Sequence, residues 1–336
     1  MKAAVIHEHG GPGSIAVDNN FPDPKPEADD VVIKVGATSL NYHDIFTRRG
    51  MPGIKVPMPC IMGLDFAGEI VEVGADVKDW KIGQRVLIDP VDRVGAGGLM
   101  GEMWHGGLAE YCKVPTHHLV ALPDSVSFEQ AACLPVAYGT AYRMMHTIGE
   151  VQKGEKVLIL GASGGVGTCA VLLAKARGCE VIACASSQSK LDRLAKLGAD
   201  HGINYVEEEF HKWVWNKFGK PHRRKWEMGV DVVVNFTGGD TWVPSLKVLH
   251  RGGRILTCGA TAGFDPKEDL RFIWSYELKV LGANGWLRPE LEALIDMVAS
   301  GELKPIIDKE LPLEEVNEAF RLIEDREVFG KVIVKP

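Results

Sequence analysis

The sequence predicts an α/β protein with two domains, one irregular and mostly β, the other a doubly wound parallel sheet. The chain has 336 residues, which is long for a single hydrophobic core. Short β-like runs interrupted by Gly and Pro fill its first third, whereas a regular alternation of apolar strands and helices begins at Lys156. Such an alternation is typical of a parallel sheet that helices cover on both faces.

Composition excludes several other classes of protein. Hydrophobic residues make up 46% of the chain and charged residues 25%, which are ordinary proportions for a globular protein. The net charge of −7 disfavours general binding to nucleic acid or to an anionic membrane. The first residues lack a signal-peptide pattern, and no run reaches the ~18 apolar residues of a membrane span. We therefore expect a cytoplasmic protein that binds neither nucleic acid nor a membrane.

The cysteines support a reducing compartment. Their number is odd, and no two of them form a C-x-x-C pair, which argues against a disulfide framework and against a cysteine-rich zinc site. The seven cysteines are Cys60, Cys112, Cys133, Cys169, Cys179, Cys184 and Cys258.

The elements follow from hydrophobic periodicity and turn residues. In the first domain, strands are predicted at 31–35, 68–73 and 85–88, and a helix that Ser127 caps is predicted over 127–148. In the second domain, strands are predicted at 156–160, 180–185, 230–236, 254–258 and 278–283, and helices at 164–177, 188–197, 241–250 and 290–300. Residues 329–336 are predicted to form a last strand that returns to the first domain. The predicted boundaries are 1–126, 127–280 and 281–336, so that the second domain interrupts the first.

A glycine-rich turn joins the strand 156–160 to the helix 164–177. The turn is A-S-G-G-V-G, so Ala162 stands at the first position of the nucleotide-binding pattern G-x-G-x-x-G. A helix N-terminus after such a turn offers free N–H groups to a pyrophosphate. The alternative is a tight βα turn of some other α/β protein. The predicted cofactor-binding residues here are Ser163, Gly164, Gly165, Val166 and Gly167.

The end of the next strand favours NADPH over NADH. NAD sites usually carry an Asp or Glu there that binds the ribose hydroxyls, but residues 184–190 (CASSQSK) include no acid. Ser186 and Lys190 are instead predicted to bind a 2′-phosphate through a hydroxyl and an ammonium group. The alternative is an exposed polar loop.

Motifs spread along the whole chain carry a resemblance to a known family. They are the opening MKAAV, the tetrad Asn41-Tyr42-His43-Asp44 followed by Gly50, GLDFAGEIVEVG (63–74), GGLAEY (106–111), the A-S-G-G-V-G turn, INY (203–205) and the closing GKVIVKP. With these motifs the chain resembles the medium-chain dehydrogenase/reductase superfamily, specifically its zinc-free quinone-reductase-like branch. The resemblance implies a GroES-like catalytic domain, a Rossmann cofactor domain, and a homodimer or tetramer, with the strand 278–283 as a candidate dimer edge.

The ligand positions of the zinc-containing members do not match a metal site in this chain. Asn41 replaces the first cysteine, Leu64-Asp65 replaces the His-Glu pair, and the last ligand position falls near Val136. Valine has no ligand atom and Asn is a weak ligand, so we expect no zinc and no other metal. The stretch 89–107 lacks the cysteines of the structural zinc lobe, and His105 there has no partner ligands at metal spacing.

Without a Lewis acid, the resemblance favours reduction of a quinone or of an alkene conjugated to a carbonyl, because the developing negative charge is delocalised and can be held by hydrogen-bond donors. Two alternatives stay open: an alcohol or aldehyde dehydrogenase of the same superfamily, and a cofactor-binding protein without turnover.

The resemblance also implies roles for individual residues. Asn41 and Tyr42 correspond to the substrate pocket, Asp44 to a residue that braces the loop, and Tyr205 to a position near the adenosine phosphate. Some enoyl reductases have a tyrosine where this chain has Pro52, which weakens the enoyl-thioester alternative. The residues predicted on the nicotinamide side are Thr140, Thr237, Gly259, Thr261 and Asn284.

The segment 211–227 is locally basic and carries three tryptophans. Charge and stacking would suit a phosphorylated substrate or a nucleic acid. A solvated surface loop next to an amphipathic helix is the alternative that we favour.

Overall fold

A computed structural model describes residues 1–51, 55–95 and 97–336. The chain divides into two compact units, Met1–Ala137 with Arg288–Pro336, and Tyr138–Leu287. The first unit is therefore built from both ends of the chain and is interrupted by the second. In the structure, the boundaries between the two units follow residues 137 and 287, whereas the sequence predicted boundaries after residues 126 and 280.

The first segment of the first unit is mostly β. Its strands and helices are β1 (Ala3–Ile6), β2 (Ala16–Asp18), β3 (Asp30–Ser39), α1 (Tyr42–Arg49), β4 (Cys60–Ile61), β5 (Asp65–Val73), β6 (Arg85–Ile88), β7 (Tyr111–Pro115), β8 (Leu119–Ala121) and α2 (Phe128–Ala132). Ser127 caps α2, because its hydroxyl accepts the Gln130 N–H and the Gln130 side chain accepts the Ser127 N–H. Because α2 packs against β3 and β5, its residues belong to the first unit.

The helical stretch predicted over 127–148 is not one regular α-helix. After α2 it widens into π turns at Leu134–Gly139, returns to α geometry at α3 (Thr140–Tyr142), and widens again at Arg143–Ile148. The unit boundary, between Ala137 and Tyr138, lies inside the first π segment. Wider turns of this kind are frequent at functional sites.

The second unit is a parallel sheet with helices. Its remaining elements are β9 (Lys156–Ile159), α4 (Gly165–Ala176), β10 (Glu180–Ala185), α5 (Gln188–Lys196), β11 (His201–Asn204), α6 (Phe210–Phe218), β12 (Val230–Val234), α7 (Trp242–Leu246), β13 (Leu249–Thr257), α8 (Leu270–Tyr276) and β14 (Lys279–Gly282). The strand order is β11-β10-β9-β12-β13-β14, and every pair in it is parallel. This is the doubly wound order of a Rossmann fold, whose direction of winding reverses between β9 and β12.

One helix of this unit is shorter than predicted. The predicted helix covers 241–250, but α7 ends at Leu246 and β13 already begins at Leu249. The Val230 N–H donates to the Val248 carbonyl, so pairing with β12 draws these apolar residues into the sheet. Sheet pairing across the fold overrides the local helical pattern here.

The last segment completes the first unit. It comprises α9 (Arg288–Ala299), β15 (Ile307–Pro312), α10 (Val316–Glu324) and β16 (Lys331–Lys335). β16 pairs with β3, with Val334 opposite Thr38, which confirms the predicted returning strand. The resulting sheet has the order β15-β16-β3-β5-β6-β8, β7 pairs with β3 beside this path, and β2-β1-β4 form a small separate sheet. Within the described residues, no helix has both the length and the apolar character that crossing a membrane requires.

Candidate functional site

The glycine-rich turn between β9 and α4 has the geometry of an anion site. The N–H groups of Gly165, Val166 and Gly167 donate to no acceptor in the described chain, and Gly164 precedes the helix without a side-chain cap. A Cβ on Gly167 would lie 2.3 Å from the Gly161 carbonyl oxygen, so only glycine allows the helix to approach the strand. A Cβ on Gly164 would meet only that oxygen, at 3.6 Å, so this side of the loop is open. These residues therefore fit a pyrophosphate at the helix N-terminus.

The predicted phosphate-selecting residues lie together at the ends of β10 and β11. Ser186 follows β10 directly, and the Tyr205 N–H, just after β11, donates to the Ala185 carbonyl at 3.2 Å. Ser187 caps α5 by accepting the Lys190 N–H, which places the Lys190 side chain in the first turn of this helix. The Tyr205 side chain is 44% exposed. Hydroxyl and ammonium donors therefore lie where an NAD site would present a carboxylate.

The loops after β12 and β13 lie beside the phosphate loop, since β12 pairs with β9. The Thr261 N–H donates to the Phe236 carbonyl, and the Ala262 N–H donates to that of Thr237. The side of Gly161 faces the Phe236 ring. The predicted residues Thr237, Gly259 and Thr261 are thus close to one another at the carboxyl edge of the sheet, where this fold binds its ligand.

Asn235, which is not among the residues predicted from the sequence, holds these loops in place. Its side chain is fully buried and its Oδ1 accepts the N–H groups of Thr237 and Gly238, both at 3.0 Å. Its Nδ2 donates to the Thr241 and Ser245 hydroxyls. The sequence does contain a signal for this residue, because VDVVVN places an amide at the end of an apolar strand. A polar side chain buried there needs hydrogen-bond partners, which the following loop can supply.

Two further predicted residues, Thr140 and Asn284, lie at the start of α3 and just after β14. Thr140 is buried, and its neighbour Gly139 packs directly on the Trp286 ring. Asn284 is exposed just after β14, two residues before that tryptophan. Because Gly139 packs on Trp286, the chain around Thr140 lies close to the chain around Asn284 within the second unit.

The first unit contains a buried polar cluster that includes Asn41 and Asp65, two of the positions that the family resemblance matched to zinc ligands. Asn41 Nδ2 donates to Asp65 Oδ2 at 2.8 Å, and the Val136 N–H donates to both Asp65 oxygens at 3.1 Å. The Lys331 ammonium donates to the carbonyl of Leu40 and to Asn41 Oδ1, and it lies 3.8 Å from the Asp65 carboxylate. We call Asn41, Asp65 and Lys331 the buried triad.

The electrostatics of the buried triad do not fit a zinc ion. The side chains of Asp65 and Lys331 are 0% and 2% exposed. Burial raises the pKa of Asp65, and the Lys331 ammonium and the Asn41 amide oppose that rise. A metal at this place would meet a resident ammonium, an amide whose oxygen is already bonded, and Val136, which has no ligand atom. The Lys331 ammonium is therefore the positive group of this cluster, and the residues around it do not form a set of metal ligands.

The other three residues of the tetrad 41–44 have different surroundings: Tyr42 makes packing contacts, whereas His43 and Asp44 make polar contacts. Tyr42 packs into the apolar cluster around Ile45 and makes an edge contact with Phe46, with 5.2 Å between ring centroids. Asp44 accepts the Asn41 N–H at 2.8 Å, so it braces the start of α1 as predicted. His43 Nε2 lies 2.6 Å from Glu102 Oε2, a partner that the sequence analysis did not identify.

Other candidates from the sequence have structural surroundings. His105 Nδ1 accepts the Ile61 N–H, and burial lowers the pKa of His105. In the described chain, Asp92, His117 and His118 could also present ligand atoms within 4.8 Å of one another. Asp92 is occupied by the N–H groups of Val94, Gly95 and Gly97, however, and His118 Nδ1 by the Asp89 carbonyl. Pro52 lies outside the described residues.

The basic segment 211–227 is split between core and surface. Trp213 and Trp215 pack against the core of the second unit, and the Trp215 indole donates to the Lys247 carbonyl. Residues 222–227 are exposed, and the Arg251 guanidinium lies over the Trp226 ring, 4.8 Å from its centroid. These contacts agree with a surface turn that follows a packed helix.

Comparison with protein families and known proteins gives consistent matches. The family model for the alcohol dehydrogenase GroES-like domain matches residues 27–124, and the model for zinc-binding dehydrogenases matches residues 165–300. The chain is 32% identical to acryloyl-coenzyme A reductase of Sulfurisphaera tokodaii over 100% of both chains. It is 33% identical to a chloroplastic NADPH-dependent alkenal/one oxidoreductase of Arabidopsis thaliana, over 100% of this chain and 80% of the relative. It is 29% identical to human quinone oxidoreductase, over 99% of this chain and 97% of the relative.

Solved structures agree with these matches. A structure named NAD-dependent alcohol dehydrogenase superposes with a TM-score of 0.91, at 33% identity over 100% of both chains. A 2-octenoyl-CoA carboxylase reductase in complex with NADP and 2-octenoyl-CoA superposes with a TM-score of 0.83, at 28% identity over 96% of this chain and 82% of that one. The α/β architecture, the whole-length relatives and the two family models lead to one assignment: the chain belongs to the medium-chain dehydrogenase/reductase superfamily, in its quinone oxidoreductase-like branch.

Proposed function

We propose that the protein is a cytoplasmic, zinc-independent oxidoreductase that reduces a quinone or an activated alkene with NADPH. The observation that carries this proposal is the buried triad, in which the Lys331 ammonium holds the side chain of Asn41 and faces Asp65. A simple ketone or alcohol needs a Lewis acid to hold the negative charge on one oxygen. An enone or quinone delocalises that charge, so hydrogen-bond donors suffice.

The chain's own residues supply binding and orientation. The N–H groups of Gly165, Val166 and Gly167, which donate to no acceptor in the described chain, would hold the pyrophosphate of the cofactor. Its nicotinamide side would be held by Thr140, Thr237, Gly259, Thr261 and Asn284. When bound, the reduced nicotinamide supplies a hydride equivalent. Tyr42 and Asn41 belong to the substrate pocket, where the Tyr42 hydroxyl offers a hydrogen bond to the carbonyl oxygen of the substrate. The relatives named acryloyl-coenzyme A reductase, alkenal/one oxidoreductase and quinone oxidoreductase support this substrate class.

An activity panel tests the proposal. NADPH oxidation is measured with enones, quinones and simple ketones, before and after treatment with a strong chelator. We expect turnover of the first two classes, unaffected by chelation. Turnover confined to simple ketones, lost on chelation and restored by Zn²⁺, would identify the alcohol dehydrogenase that one structural neighbour's name suggests. Cofactor binding without turnover of any compound would support the binding-protein alternative.

The preference for NADPH is proposed from Ser186, Lys190 and Tyr205. The Lys190→Ala variant removes an ammonium group that can bind the 2′-phosphate, so its Kd for NADPH should rise about tenfold while that for NADH stays the same. Fluorescence titration measures both constants. Lys196→Ala, an exposed position in the same helix, is the matched control. Equal weakening of both cofactors by Lys190→Ala would contradict the assignment.

We also propose a homodimer that forms through the edge strand β14. Lys279 and Val280 on this strand are exposed, and the neighbouring helix α8 exposes Leu270 and Trp274. An exposed edge strand with apolar neighbours is a natural pairing site for a second copy. Light scattering after size-exclusion chromatography measures the mass. All seven cysteines are free, which supports a reducing cytoplasm.

A further inference from the structure

A histidine–carboxylate pair lies in the first turn of α1, directly after the two predicted pocket residues. His43 Nε2 is 2.6 Å from Glu102 Oε2. Only 6% of the Glu102 side chain is exposed, and Thr47 Oγ1 donates to the same carboxylate oxygen at 3.4 Å. Glu102 therefore orients the imidazole ring through its Nε2 atom.

The opposite side of the ring is available for proton transfer. His43 Nδ1 has no partner among residues that the structure describes, and 26% of the side chain is exposed. Burial lowers the pKa of His43, but the hydrogen bond and charge of Glu102, together with the charges of Asp44 and Asp65, outweigh burial and raise that pKa above its usual value. With Nε2–H donated to Glu102, Nδ1 is the atom that gains and loses the second proton.

The neighbouring residues are less suited to donate a proton. Asp44 is fully buried and accepts backbone N–H groups from Asn41 and Leu64. The Asn41 amide is held between Asp65 and Lys331. Tyr42 packs edge-on against Phe46 and lacks a base to orient it among the described residues. His43 is therefore the residue of this turn that combines a transferable proton with an oriented ring.

We infer that His43 is the proton donor that completes the reduction of an activated alkene, an inference that rests on the proposed function. A bound reduced nicotinamide would supply the hydride that forms the C–H bond at the β-carbon, and the alkene electron pair would then become that of an enolate. The enolate α-carbon then takes the proton from Nδ1 of the imidazolium, and the electrons of the broken N–H bond stay on the ring. The neutral ring keeps Nε2–H on Glu102 and is reprotonated from water.

Enones and quinones should respond differently to the loss of this donor. Carbon protonation of an enolate is slow and benefits from a positioned acid. The hydroquinone anion is protonated on oxygen, and water can supply that proton rapidly without a positioned acid. His43→Gln should therefore lower kcat for an enone about 100-fold while leaving quinone turnover nearly unchanged. His7→Gln, which replaces an exposed histidine of the same unit, is the matched control.

An α-methyl enone gives a second product-based measurement. The wild-type protein should produce one configuration at the α-carbon, and His43→Gln should give both, because solvent then protonates either face. If the wild-type protein reduces neither enone nor quinone, the proposed function fails. If it reduces both, and His43→Gln lowers both rates equally or retains a single configuration, the proton-donor inference fails.

A spectroscopic measurement is independent of turnover. In protein with ¹⁵N-labelled histidines, the neutral His43 ring should be the Nε2–H tautomer, identified by the signals that His43→Gln removes. Glu102→Gln should shift these signals and lower enone kcat with quinone turnover kept, which marks Glu102 as a positioning residue. A neutral Nδ1–H tautomer in the wild-type protein would overturn the inference.

Discussion

The phosphate loop of the second unit and the buried triad of the first unit are built on opposite principles. The loop offers main-chain N–H groups, and it depends on glycines because a Cβ atom at Gly167 would collide with the neighbouring backbone. The triad uses three charged or polar side chains that are almost completely enclosed. A backbone site is local in sequence, because one turn contains all of it. The triad joins positions 24 and 290 residues apart, so it exists only in the folded chain.

The largest expected effect is the removal of the buried cation. Lys331→Met should lower the free energy of unfolding by about 3–5 kcal/mol, because Asp65 loses its buried counterion and the Leu40 carbonyl and Asn41 Oδ1 lose the ammonium group that donates to them. Urea unfolding followed by circular dichroism measures this change.

Lys335→Met on the same strand is the control for that variant. Lys335 pairs with Glu129 and Glu310 at the surface, and 44% of its side chain is exposed, so its removal should cost about 0–1 kcal/mol. Equal losses for the two variants would mean that the triad contributes no more than a surface ion pair.

This contrast explains which parts the sequence could predict. The strands of the parallel sheet and the A-S-G-G-V-G turn follow from short-range periodicity and glycine spacing, and the structure contains them. Lys331 was visible only as a letter of the closing motif GKVIVKP, and Glu102 was not identified at all. No local pattern connects Glu102 with His43, because they are 59 residues apart and meet only through tertiary packing. Tertiary pairing also shortened the predicted helix at 241–250.

A smaller effect is expected in the phosphate loop. Gly167→Ala would place a Cβ 2.3 Å from the Gly161 carbonyl oxygen, so α4 must move away from β9. We expect a loss of about 1–3 kcal/mol in the free energy of unfolding, as for other overpacked positions. NADPH affinity should fall as well, because the shifted helix carries the N–H groups of the loop. Unchanged stability would show that the loop yields easily and that Gly167 is not needed for packing.

The smallest effect on stability is expected at Gly164, which separates binding from folding. A Cβ here meets only the Gly161 oxygen at 3.6 Å, and the backbone conformation (φ −81°, ψ 179°) suits alanine. Gly164→Ala should therefore leave the free energy of unfolding within about 1 kcal/mol of the original value. Its methyl group would nevertheless fill the open side of the loop, so the Kd for NADPH should rise. Calorimetric titration and urea unfolding of the same preparation compare the two quantities. Unchanged NADPH affinity would show that the pyrophosphate does not approach the chain at Gly164, and the glycine would then serve the turn alone.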